Sequence, residues 1–201
     1  MVNSERRAKM GKVCAVFGGS RGIGRAVAEL LAQKGCRLAV IARNLDVAQT
    51  TARHLGAGHL ALSCDVSNEQ EVQKTFEEMQ RSLGPISYLV NAAGINRDAL
   101  LLRTKTEDMI AQIHTNLLGT MLTCRAAVKV MIQQQGGAIV NIGFIRTEMT
   151  AHLEEDQLKK AIPLGRFGEP HEVAQAVVFL LESPYVTGSV LVVDGGLQLM
   201  T

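Results

Sequence analysis

Three glycines and two arginines near the start of the chain have the types and spacing needed to hold a phosphorylated cofactor. Gly18, Gly22 and Gly24 lie in the stretch FGGSRGIGRA, between an apolar β-rich run and an amphipathic helical pattern. Glycines at a strand-to-helix turn let the backbone approach a pyrophosphate, and the helix N-terminus offers N–H donors and a positive dipole end. A glycine pattern alone is a weak signal, but this strand-turn-helix setting favours a dinucleotide site.

Arginine occupies the position at which dinucleotide-binding domains distinguish NADP from NAD. After the second predicted strand, the sequence VIARN places Arg43 where NAD-binding domains carry an acidic residue, and Arg21 lies within the glycine loop. Two guanidinium groups suit a 2′-phosphate dianion. We therefore predict NADP(H) as the cofactor, the alternative being that both arginines are ordinary surface charges. Asp46 is predicted in the first turn of the next helix rather than on the ribose.

Short apolar runs alternate with longer amphipathic patterns along the chain, which predicts a parallel sheet covered by helices on both faces. Strands are predicted at residues 13–17, 38–41, 60–64, 86–90, 138–142 and 191–193. Helices are predicted at 22–34, 45–55, around 72–83, at 106–134 with Thr106 as N-cap, and from Glu169-Pro170 onward. The sequence thus predicts a basic tail over 1–11 and one Rossmann-type, doubly wound α/β domain over 12–201.

Composition narrows the classes of partner. Hydrophobic residues make up 47% of the 201, aromatic residues only 3%, and the net charge is +2. No apolar run approaches the roughly 18 residues of a membrane span, so we expect no membrane partner. The net charge argues neither for nor against nucleic acid, and we expect no nucleic-acid partner. The four cysteines have no CxxC spacing and the five histidines no metal-ligand spacing, so we expect reduced cysteines and no metal site.

Motifs spread along the chain resemble those of the short-chain dehydrogenase/reductase family. The glycine loop matches the family's cofactor loop, and Asn116 in HTNLLG matches the catalytic asparagine of its long helix. GFIRTEM, PLGRFGEP and Asp194-Gly195-Gly196 match its C-terminal segments. By this resemblance the cofactor-binding residues are Gly18, Ser20, Arg21, Gly22, Ile23, Gly24, Arg43, Asp65, Val66, Asn91, Ala92, Ala93, Gly94 and Thr147, with Asp65-Val66 as the adenine contact and NAAG as the fourth-strand motif.

The resemblance implies a function as well as a fold. It implies NADPH-dependent reduction of 3-oxoacyl thioesters carried on acyl carrier protein, or of other carbonyls and quinones, in fatty acid biosynthesis. It also implies a homo- or hetero-oligomer, with a tetramer as the expected assembly. The implied compartment is the mitochondrial matrix, with the cytoplasm as the alternative.

The stretch VNIGFIRTEMT, residues 140–150, departs from the family pattern. In the family, NIG leads into a catalytic Ser, a Tyr-x-x-x-Lys helix and a sixth strand before the GF loop, whereas here Gly143 is followed at once by Phe144. Tyr88 and Tyr185 are followed four residues later by Ala and Ser, so neither supplies the motif. We interpret the junction as an internal deletion after the fifth strand, which leaves Asn116 as the only retained catalytic residue.

Two functions stay open on this evidence. The chain is either a catalytically defective form of a reductase or a non-catalytic subunit that binds NADPH or a partner. Both tyrosines are expected to pack in or beside the sheet. The last predicted strand is expected either to move in beside the fifth or to leave an exposed edge and apolar patch.

Arg125 and Lys129 lie four residues apart, and therefore on one face of the predicted long helix. The Lys129 position resembles one at which bacterial relatives use a basic residue to grip the acidic acyl carrier protein. The alternative interpretation is a solvated helix face.

Overall fold

The computed structural model describes residues 11–97, 99–142 and 162–196. Within these ranges the strands are β1 (Val13–Phe17), β2 (Arg37–Ala42), β3 (Leu60–Ser63), β4 (Ile86–Asn91) and β5 (Ala138–Asn141). The α-helices are α1 (Gly22–Gln33), α2 (Leu45–Leu55), α3 (Glu69–Leu83), α4 (Thr106–Gln112), α5 (Gly119–Gln133) and α6 (Pro170–Glu182). A 3₁₀ turn spans Leu101–Arg103, and a π-helical segment, Ile113–Leu118, joins α4 to α5.

The described strands form one parallel sheet in the order β3-β2-β1-β4-β5. The chain moves outward from β1 to β3 and then returns to the other side of β1 to form β4. This reversal places a crevice at the carboxyl ends of β1 and β4, the position at which open α/β sheets bind ligands. The sequence-based prediction of a Rossmann-type fold is therefore confirmed.

Alternating side chains of the central strands bury on opposite faces of the sheet. On one face Val16 and Val40 pack with α1, α2 and α6, and on the other Phe17 and Ile41 pack with α3 and α5. The rings of Phe17 and Phe76 stack with centroids 5.8 Å apart. Because both faces are covered, the central strands are apolar throughout, which explains why the sequence shows continuous rather than alternating hydrophobic runs.

Most predicted elements agree with the structure to within one or two residues, but the long helix differs in two respects. Thr106 is its first helical residue rather than its N-cap, which is Lys105. The predicted uniform helix also contains the π-helical segment, whose wider turns are not encoded by hydrophobic periodicity. By contrast, α6 begins as predicted, because Glu169 and Glu172 form a reciprocal capping box around Pro170.

The predicted strand at 191–193 is wrong. Residues 189–193 have no regular structure, and Val190 is 91% exposed while Leu191 and Val192 are each 46% exposed. A strand requires an edge to pair with, and among the described residues β5 has a partner on one side only, β4. The structure therefore agrees with the other expectation, an exposed apolar patch, to which Val190, Leu191 and Val192 contribute. The described helices include none that is both long and apolar enough to cross a bilayer.

Candidate functional site

The glycine loop is packed so closely against the loop after β4 that side chains are excluded. Gly18 has φ +78°, and a Cβ there would lie 2.5 Å from the carbonyl carbon of Ala92. A Cβ on Gly24 would overlap the carbonyl oxygen of Gly18. Phe17 C=O also accepts a 2.8 Å hydrogen bond from Ala92 N–H, which holds the two loops together. The site therefore needs glycine on steric grounds as well as for approach to a ligand.

Helix α1 begins directly behind this loop. Gly22 is its first residue, with φ +53°, and Arg21 is its N-cap without any side-chain capping bond. Ile23 and Ser20 are both buried. The backbone C=O of Ser20 also accepts a 3.1 Å hydrogen bond from Thr51 Oγ1 of α2. The loop is thus anchored on both sides while the helix N-terminus faces the crevice, an arrangement that fits a bound pyrophosphate.

Arg43 lies immediately after β2, and its side chain is exposed. Its backbone C=O accepts a 3.0 Å hydrogen bond from Ser63 Oγ, which fixes the end of β2 to the end of β3. Arg21 and Arg43 both lie at the carboxyl edge of the sheet, as the NADP prediction requires. Asp46 lies in the first turn of α2, as predicted.

Asp65 and Val66 follow β3 at the same edge. Asp65 Oδ1 accepts hydrogen bonds from Ser67 N (2.9 Å) and Ser67 Oγ (2.7 Å). Burial alone would raise the pKa of Asp65, but these hydrogen bonds and the positive charge of Arg43 hold the pKa below its usual range. The carboxylate is therefore ionised at neutral pH and available as a hydrogen-bond acceptor, which fits contact with an adenine amino group.

Gly119 is a site-forming residue that the sequence analysis missed. A Cβ on Gly119 would lie 2.6 Å from Cγ2 of Val66, which is buried. The glycine thus allows the long helix to approach Val66, one of the two residues predicted to contact adenine. The signal available in the sequence was a glycine inside an otherwise helical pattern, NLLGT, since such glycines commonly mark close packing.

The side chain of Asn91 bonds to protein groups on two other elements, β5 and α5. Its Nδ2 donates to Asn141 Oδ1 at 2.9 Å and to Cys124 Sγ at 3.4 Å, and its Oδ1 accepts from Thr123 Oγ1 at 2.9 Å. Asn91 and Thr123 are both buried. This network fixes the carboxyl ends of β4 and β5 to α5. The role of Asn91 in cofactor binding stays a prediction, and no motif or spacing indicated Thr123 and Cys124 as its partners.

Asn116 lies in the π-helical segment and reaches the loop after β4. Its Oδ1 accepts from Ile95 N and its Nδ2 donates to Ile95 O, each at 2.8 Å. A Cβ on Gly94 would lie 3.4 Å from the same Oδ1, so the last residue of the NAAG motif also passes close to this side chain. In this structure Asn116 therefore positions the loop, and its predicted part in catalysis stays a prediction.

Neither tyrosine of the chain lies at this edge of the sheet. Tyr88 is buried, as predicted, in register with Cys14 near the start of β1, and its hydroxyl accepts a 2.7 Å hydrogen bond from Lys12 Nζ. Tyr185 follows α6 and is 101% exposed, so the expectation that it packs beside the sheet is wrong. Thr147 and the junction Gly143–Phe144 fall outside the described residues.

The two C-terminal motifs pack against each other. Gly195 C=O accepts a hydrogen bond from Leu164 N at 3.2 Å, and a Cβ on Gly195 would lie 2.7 Å from Ile162 Cγ2. Asp194 Oδ1 accepts from Gly196 N at 2.9 Å. The segments PLGRFGEP and DGG therefore pack together, although they are about 24 residues apart in the sequence.

Comparison with known proteins agrees with this geometry. Residues 12–155 match the short chain dehydrogenase family, and residues 142–198 match a second profile described as enoyl-(acyl carrier protein) reductase. The chain is 59% identical to a 3-oxoacyl-[acyl-carrier-protein] reductase of Mus musculus over 235 residues, covering 94% of this chain and 99% of the relative. It is 56% identical to carbonyl reductase family member 4 of Xenopus laevis over 235 residues, with the same coverage.

A bacterial protein shows similarity at lower identity. The 3-oxoacyl-[acyl-carrier-protein] reductase of Thermotoga maritima is 35% identical over 240 residues, covering 93% of this chain and 98% of the relative. Family profile, relatives and sheet topology agree. This chain belongs to the short chain dehydrogenase family.

Proposed function

We propose that this chain derives from an NADPH-dependent reductase of 3-oxoacyl thioesters and other carbonyls, and that it binds NADPH without reducing a substrate. The observation that carries the proposal is the position of the two tyrosines. Tyr88 is buried in the amino-terminal half of β4, where its hydroxyl bonds to Lys12 before β1, and Tyr185 is exposed beyond α6. Neither is placed to donate a proton to a carbonyl oxygen in the crevice.

The lengths of the alignments support an internal deletion. The alignment with the mouse relative extends over 235 residues, which exceeds the 201 residues of this chain, and it covers 99% of the relative. The relative therefore contains residues that have no counterpart here. A deletion between Gly143 and Phe144 accounts for this difference and for a described sheet that ends at β5.

The remaining residues fit the cofactor. Bound NADPH would supply the hydride, and this chain's groups would hold it: the Gly18–Gly24 loop at the pyrophosphate, Arg21 and Arg43 at the 2′-phosphate, and Asp65 at the adenine. Loss of a general acid costs roughly 10²–10⁴ in rate, and loss of an oxyanion donor roughly 10²–10³. Because these losses of rate leave little catalysis, we propose the non-catalytic alternative, in which the chain is a subunit of an oligomer in the mitochondrial matrix.

Cofactor titration tests the binding half of the proposal. We expect NADPH to bind more tightly than NADH when cofactor fluorescence is followed, because two guanidinium groups favour a phosphate dianion. The double variant Arg21→Ala/Arg43→Ala should lose this preference, whereas Arg53→Ala, on the last turn of α2, should keep it. Equal affinities of the parent chain for both cofactors would contradict the assignment.

Turnover assays test the catalytic half. NADPH oxidation in the presence of acetoacetyl thioesters or quinones should stay at the rate without enzyme. Insertion of the mouse relative's corresponding segment between Gly143 and Phe144 should restore turnover, which distinguishes a lost catalytic segment from a lost scaffold. Robust turnover by the parent chain, abolished by Asn116→Ala, would show that another group replaces the tyrosine.

A further inference from the structure

Three consecutive leucines are exposed on the turn between β4 and α4. Leu100, Leu101 and Leu102 are 70%, 78% and 99% exposed. Leu101–Arg103 form the 3₁₀ turn, and Leu100 is its N-cap. We call residues 100–105 the leucine turn. A single exposed apolar side chain is ordinary, but three adjacent large ones on one turn mark an interaction site.

The backbone of the leucine turn is closed by its own hydrogen bonds. The C=O of Leu100 accepts from Arg103 N at 2.7 Å, from Thr104 N at 3.0 Å and from Thr104 Oγ1 at 3.1 Å. The C=O of Leu101 accepts from Thr104 N at 3.3 Å. These bonds hold the leucines on one short turn, and they satisfy carbonyl groups that would be costly to carry into an apolar phase.

The directions of the leucine side chains favour a fluid partner over a rigid one. Because a 3₁₀ helix has about three residues per turn, successive side chains point about 120° apart. Leu101 and Leu102 therefore do not lie flat against one planar protein surface together, and Leu102 has almost no contact with the rest of the described chain. The acyl chains of a lipid bilayer, in contrast, rearrange around side chains that point in several directions.

Positive charge follows the leucines directly. Arg103 and Lys105 are both exposed, and neither has an ion-pair partner among the described residues. Residues 100–105 contain no acidic side chain. Anionic lipid headgroups would supply the complementary charge, and the long stems of both cations allow their charged ends to stay at headgroup level while the leucines lie deeper.

The acidic side chains nearby oppose this attraction only in part. Asp108 forms a 2.6 Å ion pair with Arg97, and Glu107 belongs to the first turn of α4, where the helix dipole stabilises a negative charge. Asp98 falls outside the described residues. We therefore expect insertion of the leucines to contribute more to binding than the charges do.

We propose that the leucine turn inserts into the surface of an anionic lipid bilayer, with Arg103 and Lys105 among the headgroups. Such a contact lies in the plane of the interface, and its strength depends on buried apolar area and charge rather than on a spanning helix. The proposal revises the sequence-based expectation of no membrane partner, which rested on the lack of a long apolar run. It does not depend on cofactor binding or on catalytic activity.

Vesicle flotation tests whether the leucine turn mediates binding. The full chain should float with vesicles of phosphatidylserine and phosphatidylcholine. Its partition coefficient should fall at least about tenfold in Leu101→Ser/Leu102→Ser, because two leucine side chains then no longer leave water. The matched control, Met121→Ser/Ile132→Ser, removes two side chains of α5 that are 60% and 70% exposed. This control should float like the parent chain.

Lipid composition and charge variants test the role of the two cations. Binding to vesicles of phosphatidylcholine alone should be weaker and independent of salt. On vesicles that contain phosphatidylserine, Arg103→Gln/Lys105→Gln should lower the partition coefficient by about fivefold for each charge removed. Arg53→Gln/Lys74→Gln removes two exposed cations of α2 and α3 and should leave it unchanged.

Tryptophan fluorescence locates the contact, because the chain has no tryptophan of its own. In Leu102→Trp, emission should shift to shorter wavelength when vesicles are added, and lipids with brominated acyl chains should quench it. Tyr185→Trp places the reporter at a side chain that is 101% exposed and follows α6. Its emission should neither shift nor be quenched.

Three outcomes would overturn the proposal. The first is a full chain that does not float with vesicles containing phosphatidylserine. The second is an equal loss of binding in the leucine variant and in the α5 control, which would indicate non-specific adhesion of apolar surface. The third is a Leu102→Trp reporter that binds vesicles without being quenched, which would place the leucine turn outside the bilayer and favour a protein as its partner.

Discussion

The side chain of Asn116 forms two hydrogen bonds with the backbone of a single residue, Ile95. The amide oxygen accepts from the Ile95 N–H and the amide nitrogen donates to the Ile95 C=O, both at 2.8 Å. The side chain thereby replaces the backbone partner that a strand would otherwise provide. It fastens the loop after β4 to the long helix, and this loop in turn confines the glycine loop at Gly18.

Removal of this amide should loosen the loop. In Asn116→Ala, the Ile95 amide should exchange with solvent faster, and the free energy of unfolding should fall by about 0.5–1.5 kcal/mol for each lost hydrogen bond, nearer the lower value because the site is exposed. Asn116→Asp keeps the acceptor for Ile95 N–H and should keep more of the protection. Hydrogen exchange measures both variants, and unchanged exchange in the alanine variant would contradict the positioning role.

Gly18→Ala should destabilise the protein more than an alanine at a comparable but open glycine. Gly18 and Gly58 have similar positive φ values, +78° and +86°, but a Cβ on Gly58 meets nothing within 4 Å. Gly58→Ala should therefore incur only the backbone strain of roughly 1–2 kcal/mol. Gly18→Ala adds the clash with Ala92 and should also weaken cofactor binding. Urea unfolding measures the free energy of unfolding of both variants. Equal losses of this free energy would mean that the glycine loop and the loop after β4 move apart at little cost.

His59 should make stability depend on pH in the acidic range. Its Nδ1 accepts a 3.1 Å hydrogen bond from Leu38 N–H, which only the neutral ring does. Burial lowers the pKa of His59 from 6.5, partly opposed by a hydrogen bond with the Leu55 backbone. As pH falls, His59 of the unfolded chain is therefore protonated before His59 of the folded protein. The contribution of the neutral ring to the free energy of unfolding is present above about pH 6.5 and is lost as pH falls through the pKa of the folded protein.

The His59 effect is measured by urea unfolding at about pH 7.5 and about pH 5.5. His59→Gln should show a smaller loss of stability between these values than the parent chain. His54→Gln serves as the control, because His54 is exposed on the last turn of α2. The same loss in the parent and in both variants would exclude His59 as the source.

Lys129 should contribute to binding of an acidic carrier protein. It lines the groove between α3 and α5, and unlike Arg125, which pairs with Glu69, it has no ion-pair partner among the described residues. Surface plasmon resonance should show weak binding of acyl carrier protein that falls with rising salt and is lost in Lys129→Glu. Lys74→Glu makes the same charge change on α3 as a control. Binding that is unchanged by salt and by the Lys129 substitution would exclude this groove as the binding site.

The sequence by itself determined most of the elements and the place of the glycine loop between β1 and α1. Strand β1 and helix α2 begin and end where predicted, because apolar periodicity and turn residues act over a few neighbouring positions. The cofactor-binding roles predicted for Gly18 and Gly24 rest on that place between a strand and a helix. The interpretation of Gly143–Phe144 as a break also rests on chain order rather than on packing.

Only the tertiary structure decided which groups meet. Residues 191–193 have the composition of a strand but stay unpaired, because strand formation depends on an available edge far away in sequence. The Asn91–Thr123 hydrogen bond, the contact of Gly119 with Val66 and the exposure of Tyr185 likewise depend on the register between distant elements. Local propensity carries no information about that register, because it is fixed by the packing of both faces of the sheet at once.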